Sequence, residues 1–545
     1  MSPASRLLEI CTNYYTFFLS GLKKNALTLK NLTTFEKAIV AFFFVFSVFN
    51  IATVTWGVSS YISWSIDDPS GMPILEFLAK HQIYLFHNYP PLLFVINGLL
   101  YLPVLFIYWL TGTLHPTLVY PYGFSNIGIQ VGILIMITRT LNFLTYLLTG
   151  YFFYKGMHIV DKKIAFYGCF LYLLSPIIIQ FSTLGNMDTP MMFFLSITFY
   201  FLARLYFLKP KETERPKYIY LLFLSFAFLC STKEAGAVSF LLPFFILILK
   251  LSFYDHVRFK KIFVEFFKAS LLFIFVYVLI NNIVFNYSGF VSHLKFFLGK
   301  GVLAEISVPY DQITLLRKTL LAIFLTSPVI AVLSIFGILI SLFQKRFRMF
   351  LFFLTPILGY YVLVLSRVET VVLRYTMPIV FYLALFAGTT LYQIDFLKKR
   401  FLRKVIVLVI LASVVIPSLS PVYGKFTDSR YETREVLREV SHGKTVYALT
   451  TWMGEVANWM PNVSISYDLT KPSPFLNPNL TTMIHATNSS SNLYLVSYEL
   501  YQRRNEVFKD LKVLYDSGEK GPYYYRADAD LSACRISCRH LILSH

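Results

Sequence analysis

The sequence predicts an all-α polytopic membrane domain of about eleven transmembrane helices, with juxtamembrane helices in its first external loop, followed by an extracytoplasmic α/β domain. Three observations carry that expectation. Of the 545 residues, 56% are hydrophobic, 18% aromatic and only 14% charged, whereas a soluble domain is charged at about a quarter of its positions. The mean hydropathy is +0.60, and the apolar residues gather in runs of membrane-spanning length. Beyond residue 424 these runs give way to short stretches alternating between strand-like and helix-like patterns.

Three parts follow: a cytoplasmic N-terminal segment, 1–37, a transmembrane domain, 38–423, and the α/β domain, 424–545. Spans are expected near 38–60, 128–153, 164–183, 189–208, 218–232, 236–250, 262–285, 319–343, 349–365, 374–391 and 403–423. Two of them, 218–232 and 236–250, fall short of the roughly 20 residues a straight crossing needs. The first run, 35–61, is too long for the apolar core of a signal peptide and lacks a clear cleavage site.

Orientation comes from charge. The formal net charge is +20, yet much of it lies in short clusters between apolar runs, the pattern of a membrane protein rather than of a nucleic-acid binder. Lys23, Lys24, Lys30 and Lys37 precede the first span. Lys162 and Lys163, then Lys209 through Lys217, then Arg258, Lys260 and Lys261 mark later turns. Lys345, Arg346 and Arg348, then Lys398 to Arg400 with Arg403 and Lys404, mark the last two. Placing all of these inside puts the N-terminus in and the C-terminus out.

The segment 91–110 is apolar enough to cross, but crossing would move Lys162 and Lys163 outside, and 111–126 has no Lys or Arg. It is therefore expected to dip into the outer leaflet and return, interrupted by Pro90, Pro91 and Pro103. An ordinary span with one hairpin miscounted is the alternative.

In the C-terminal part, 445–449, 463–467, 492–496 and 512–515 read as strands, and 454–460 and 501–511 as helices. Asn462, Asn479 and Asn488 stand in Asn-x-Ser/Thr sequons there, as does Asn286 in an external loop. Cys534 and Cys538 are spaced closely enough for a disulfide. No Cys pair reads as a zinc site, and the chemistry below calls for neither metal nor other cofactor.

On this topology the ionisable residues of interest share the outer face. Asp67 and Asp68 follow the first span, Asp188 lies in the turn 186–190, and Lys233 and Glu234 separate the two short segments. Arg367, Glu369 and Arg374 lie between the ninth and tenth spans. Ionisable groups at the membrane boundary are costly and are functional candidates by default. Each has a plainer explanation: Asp188 before Thr189 and Pro190 suits a helix cap, and Lys233 and Arg374 suit snorkelling to the interface. Convergence on one face favours a site.

Asp67-Asp68 resists the plainer explanation, because a loop cap needs one carboxylate. Two adjacent acids repel, which raises the proton affinity of at least one and suits a general base. Lys80, His81, His87, Lys233 and Arg374 are the groups to hold a phosphate at the membrane surface. A carboxylate base facing such a cluster describes transfer from a lipid phosphate. An acceptor hydroxyl attacks the activated carbon, and lipid phosphate leaves.

The order of these residues carries a resemblance. The acid pair after the first span is followed by His87-Asn88-Tyr89-Pro90-Pro91-Leu92, by Arg139 in the next span, by Leu173-Leu174-Ser175-Pro176, and by Asp188. Ser231-Thr232-Lys233-Glu234-Ala235-Gly236 and Arg374-Tyr375-Thr376-Met377-Pro378 come later. This set, spread over 38–390, resembles polyprenyl-phosphate-sugar glycosyltransferases of the GT-C class, in particular protein O-mannosyltransferases and the lipid A aminoarabinose transferase. The resemblance implies a GT-C-like fold with Asp67 as the catalytic base and Asp68 in place of the usual Glu. It implies Asp188 as the second external acid, Lys233 and Arg374 facing the donor phosphate, and Pro90-Pro91-Leu92 opening a juxtamembrane helix. Pro69-Ser70-Gly71 departs from the family pattern, so either acid of the pair remains open as the base.

The partners so implied are a polyprenyl- or dolichyl-phosphate-linked sugar, a protein, lipid or glycan acceptor, and membrane lipids, with no nucleic acid. The setting is the cell membrane, or the endoplasmic reticulum membrane in a eukaryote. A transporter or flippase of lipid-linked sugars is the main alternative, but it would place acids mid-span, where they are nearly absent. A scaffold with a partner-binding external domain leaves the ordered motifs without a purpose.

Overall fold

The computed structural model describes residues 34–58, 90–117, 123–208, 213–298, 311–344, 346–367, 373–394, 400–440, 445–448, 463–464, 492–497, 511–516 and 540–544. The chain divides into two compact units, Met1–Ala52 and Thr53–His545. In the first, α1 (Thr34–Ala52) is a single helix on which Phe42 stacks with Phe46 one turn later.

The second unit opens on a 3-10 turn, Thr53–Thr55, and runs through α2 (Leu92–Leu110), α3 (Ile127–His158), α4 (Lys162–Leu173), α5 (Pro176–Ser182) and α6 (Asp188–Phe207). Next come α7 (Arg215–Cys230), α8 (Glu234–Val238), α9 (Leu241–Leu249) with a π-helical turn, α10 (Phe259–Ile280) and α11 (Tyr287–Leu298). The last helices are α12 (Gln312–Thr326), α13 (Pro328–Phe343), α14 (Phe347–Leu363), α15 (Met377–Ile394), α16 (Arg400–Phe426) and α17 (Ser429–Val440). Helices dominate because hydrocarbon offers no water, so each backbone N–H and C=O must bond within its own segment. Among the described residues nine helices are long and apolar enough to cross a membrane, or up to eleven if each of two bent pairs is one span. The chain is an integral multi-pass membrane protein, as its composition requires.

The inner bundle is built on α3, which packs against α4 and α6, and on α15, which packs against α4 and α13. Phe153, Tyr172, Phe199 and Tyr382 pack edge-on around Phe381. Close approach depends on glycine: a Cβ on Gly337 of α13 would lie 1.9 Å from the Phe386 carbonyl oxygen of α15. Small residues at crossings are how helices gain contact in lipid, where apolar burial gives little. Outside, α10 exposes Phe263, Phe267, Leu271, Ile274 and Leu279.

Two expected spans are broken. The span at 164–183 divides into α4 and α5, which meet at 61°, and the span at 319–343 divides within α12 and α13, which meet at 112°. Each break falls on a Ser-Pro step, because proline lacks an N–H and disfavours helical backbone at the residue before it. The two steps touch, with Ser175 Oγ 2.5 Å from Ser327 Oγ. The reverse holds at Pro103, which sits inside α2 without ending it. The prolines at 90 and 91 start that helix, and the interruption expected within it is absent. By length and hydropathy α2 is one of the nine that could cross.

Beyond α17, strands β1 (Thr445–Ala448), β2 (Val463–Ser464), β3 (Asn492–Ser497), β4 (Lys512–Asp516) and β5 (His540–Ser544) form one sheet in the order β2-β1-β3-β5-β4. β1 runs parallel to β2 and β3, while β5 runs antiparallel to β3 and β4. Four of these strands stand where the sequence alternates. The fifth is a run of three apolar residues, Leu541-Ile542-Leu543, too short to announce itself without its partners. The helix expected at 454–460, all but the last residue of the one expected at 501–511, the sequons at Asn462, Asn479 and Asn488, and Cys534 and Cys538 lie outside the described residues.

Candidate active site

The site is assembled at three chain reversals. The first is the turn before α6. Asn186 governs it: its Oδ1 accepts from the backbone N–H groups of Asp188 (2.9 Å) and Thr189 (3.2 Å), and its Nδ2 donates to Phe181 O. Asn142 of α3 donates in turn to the carbonyls of Leu184 and Asn186. Asn186 therefore does the capping, and the plainer explanation of Asp188 fails. Asp311 shows what a capping acid looks like here: it is exposed and accepts from Ile313 N and Thr314 N, and hydrogen bonding, chiefly from the Thr314 hydroxyl, holds its carboxyl below the usual range.

Asp188 instead is 2% exposed and turns its carboxylate onto a cation. Lys233 Nζ donates to Asp188 Oδ1 at 2.6 Å. The helix N-terminus adds to the stability of a carboxylate at this position. Lys233 belongs to the second reversal, between α7 and α8, and its backbone is extended (φ −163, ψ 113). It lies 5.3 Å from the Tyr375 ring centre, a cation–π distance. Arg374 comes from the third reversal, a 3-10 turn at Leu373–Thr376. Its Nε is 3.8 Å from Asp188 Oδ2, an ion pair too long to be a hydrogen bond. Tyr360 of α14, fully buried, lies within electrostatic range of the same carboxylate.

The Pro-Pro-Leu motif meets the same place. Leu92 supplies the first backbone N–H after two prolines and donates it to Ser231 O (3.1 Å), two residues before Lys233. Asn281, at the end of α10, donates to Ser231 Oγ. Arg139, fully buried in α3, donates to the carbonyls of Val54 and Trp56 and holds the segment that follows the first span.

Of the residues singled out from sequence, Asp188, Lys233 and Arg374 are thus brought together. Asp67, Asp68, Lys80, His81 and His87 lie outside the described residues. Sequence reasoning passed over Tyr375 and Tyr360 as site residues. Tyr375 was legible in principle as the neighbour of Arg374, whereas Tyr360 looks like one more aromatic in an apolar helix. Among the described residues, no three His, Cys, Asp or Glu side chains converge as a metal site.

Part of the chain matches a known family, and several solved structures resemble it distantly. Residues 124–281 match the family described as dolichyl-phosphate-mannose-protein mannosyltransferase. No curated protein matches. Among solved structures, ArnT from Cupriavidus metallidurans in the apo state overlaps 92% of this chain and 98% of its own at 11% identity, with a TM-score of 0.49. The same protein bound to undecaprenyl phosphate gives 9% identity over 92% and 97%, with a TM-score of 0.45. The Archaeoglobus fulgidus oligosaccharyltransferase in its apo form covers 85% of this chain and 70% of its own at 12% identity, with a TM-score of 0.46. Likenesses that distant carry no mechanism. The matched segment, residues 124–281, contains both members of the Asp188–Lys233 ion pair.

Proposed function

We propose that the chain is a GT-C membrane glycosyltransferase that moves a hexose, mannose or a related sugar, from a polyprenyl or dolichyl phosphate to an acceptor hydroxyl at the outer face. The observation that carries this reading is the convergence of Lys233 and Arg374 on the Asp188 carboxylate, within and beside the matched segment. Two cations from separate elements, held within 4.0 Å of one carboxylate, suit a phosphate that gains charge as its bond to sugar breaks. The buried carboxylate side chains among the described residues are those of Asp188, Asp255, Glu265 and Asp428, all within about two turns of a helix end. That distribution fits a boundary site better than a transport path through the membrane.

In this reading, one carboxylate of the Asp67-Asp68 pair takes the proton of the acceptor hydroxyl. The acceptor oxygen forms a bond to the anomeric carbon as the carbon–oxygen bond to phosphate breaks. Polyprenyl phosphate leaves with both electrons and stays beside Lys233 and Arg374. Asp188 orients Lys233 and supports the acceptor. The α/β part after 424 is assigned to the outer side, where it meets the acceptor.

The test is transfer from a panel of polyprenyl-phosphate sugars by Asp67→Asn and Asp68→Asn. Asn keeps size and polarity but cannot take a proton, so one of the two is expected to lose about 10²–10⁴-fold in turnover, with purified yield and thermal stability near wild type. Wild-type turnover in both variants would sink the reading.

A further inference from the structure

Glu234, next to Lys233, does not face the site. Its Oε1 accepts from His293 Nε2 of α11 at 2.6 Å, and the side chains are 16% and 1% exposed. Lys233 and Glu234, adjacent at the start of α8, reach different partners, Lys233 to Asp188 and Glu234 to His293. A hold on Glu234 therefore fixes the rotation of the segment and with it the direction in which Lys233 points. The His293 ring is itself placed by α11, whose Phe290 packs edge-on against Tyr277 of α10, 6.2 Å between centres. The rest of the turn is held as well, by Leu92 N and Asn281 Nδ2 at Ser231. Gly236 lies so close to Met191 of α6 that a Cβ would come within 2.8 Å of its Cγ. None of these other contacts bears on the side chain that follows Lys233.

We propose that the Glu234–His293 pair is a positioning latch for Lys233, so that α11 sets the affinity of the donor-phosphate site without touching it. The proposal rests on the assignment of Lys233 to the donor phosphate. A lysine side chain loses rotamer freedom when ordered, and a latch that pre-orders its backbone removes part of the freedom that binding must otherwise quench.

The experiment measures binding of undecaprenyl phosphate to the full chain in lipid nanodiscs, together with thermal stability. His293→Ala and Glu234→Ala are each expected to weaken binding about tenfold, and the double variant no more than either alone. His293→Gln, whose amide can donate to Glu234, is expected to restore most of the affinity. Lys233→Ala is expected to weaken binding at least as much, and His293→Ala to add nothing on that background. Wild-type affinity in His293→Ala with weakened binding in Lys233→Ala would overturn the latch and leave the donor assignment standing. Wild-type affinity in Lys233→Ala would overturn both. Lost thermal stability in His293→Ala, with no recovery of affinity in His293→Gln, would make the pair a packing contact and overturn the latch.

Discussion

The two ends of α7 each carry a buried ion pair, and the two are built differently. At the start of the helix, Arg215 meets Glu265 of α10 in a fork, Nε to Oε2 at 2.9 Å and Nη2 to Oε1 at 2.8 Å. Three residues past its end, Lys233 meets Asp188 with one bond of 2.6 Å, and Arg374 stands off at 3.8 Å. A helix of 16 residues separates them by about 24 Å. The first pair matches one cation to one anion in the geometry that best satisfies both. The second sets two cations around one anion, with the Tyr375 ring beside both cations. Burial alone does not mark a functional charge. The way its partners are apportioned does.

The comparison breaks most visibly at the fork. Glu265→Ala strands a buried guanidinium without its carboxylate, which costs about 3–5 kcal/mol. A large drop in melting temperature and in purified yield is expected, with donor affinity unchanged in whatever protein survives. Replacing both Arg215 and Glu265 by Leu should recover most of that stability, since exchanging a buried pair for apolar side chains is often about neutral. A fork variant that keeps its stability and loses donor binding would reverse the assignment of the two ends.

How much of this could be read without coordinates depended on what each residue costs. Asp188, Lys233 and Arg374 stand out because charge at a membrane boundary is expensive wherever it occurs, so position along the chain suffices to flag them. The link from Glu234 to His293 spans 59 positions and exists only because α11 folds back onto α10. Nothing local announces it. The spans were legible as apolar runs, but a helix apolar all round has no face to betray a bend. That is why the break at Ser327 went unread, although Ser327-Pro328 supplies its cause. At Pro103 the same signal was overread, because one missing N–H does not outweigh the turns on either side.

At the other end of α7, Asp188→Asn leaves the Asn186 cap in place and removes the charge facing Lys233 and Arg374. Stability is expected to fall much less than in Glu265→Ala, while turnover falls about 10–100-fold, short of the loss from a missing base. Acceptor KM should rise more than donor KM, because Lys233 keeps its own charge for the phosphate. Should Asp188→Asn instead unfold the protein as fully as Glu265→Ala, the two ends would be alike and the Asp188–Lys233 pair structural.

The smallest effect is expected at Arg374, and it sharpens the comparison most. Its Nε stands 3.8 Å from Asp188 Oδ2, beyond hydrogen-bond reach, and Asp188 keeps its bond from Lys233 when Arg374 is removed. Arg374→Ala should therefore leave the melting temperature within a few degrees of wild type. Its charge still adds to the field at the phosphate, so affinity for undecaprenyl phosphate should fall about threefold to tenfold. That loss should shrink as salt rises, because a charge near the membrane boundary is screened over about 10 Å at 0.1 M salt. Arg374→Lys keeps the charge and should recover most of the affinity. Binding of the corresponding polyprenol, which lacks the phosphate, should be the same in wild type and in Arg374→Ala. Equal losses for phosphate and alcohol would mean that Arg374 shapes the lipid groove instead, and the phosphate assignment would then rest on Lys233.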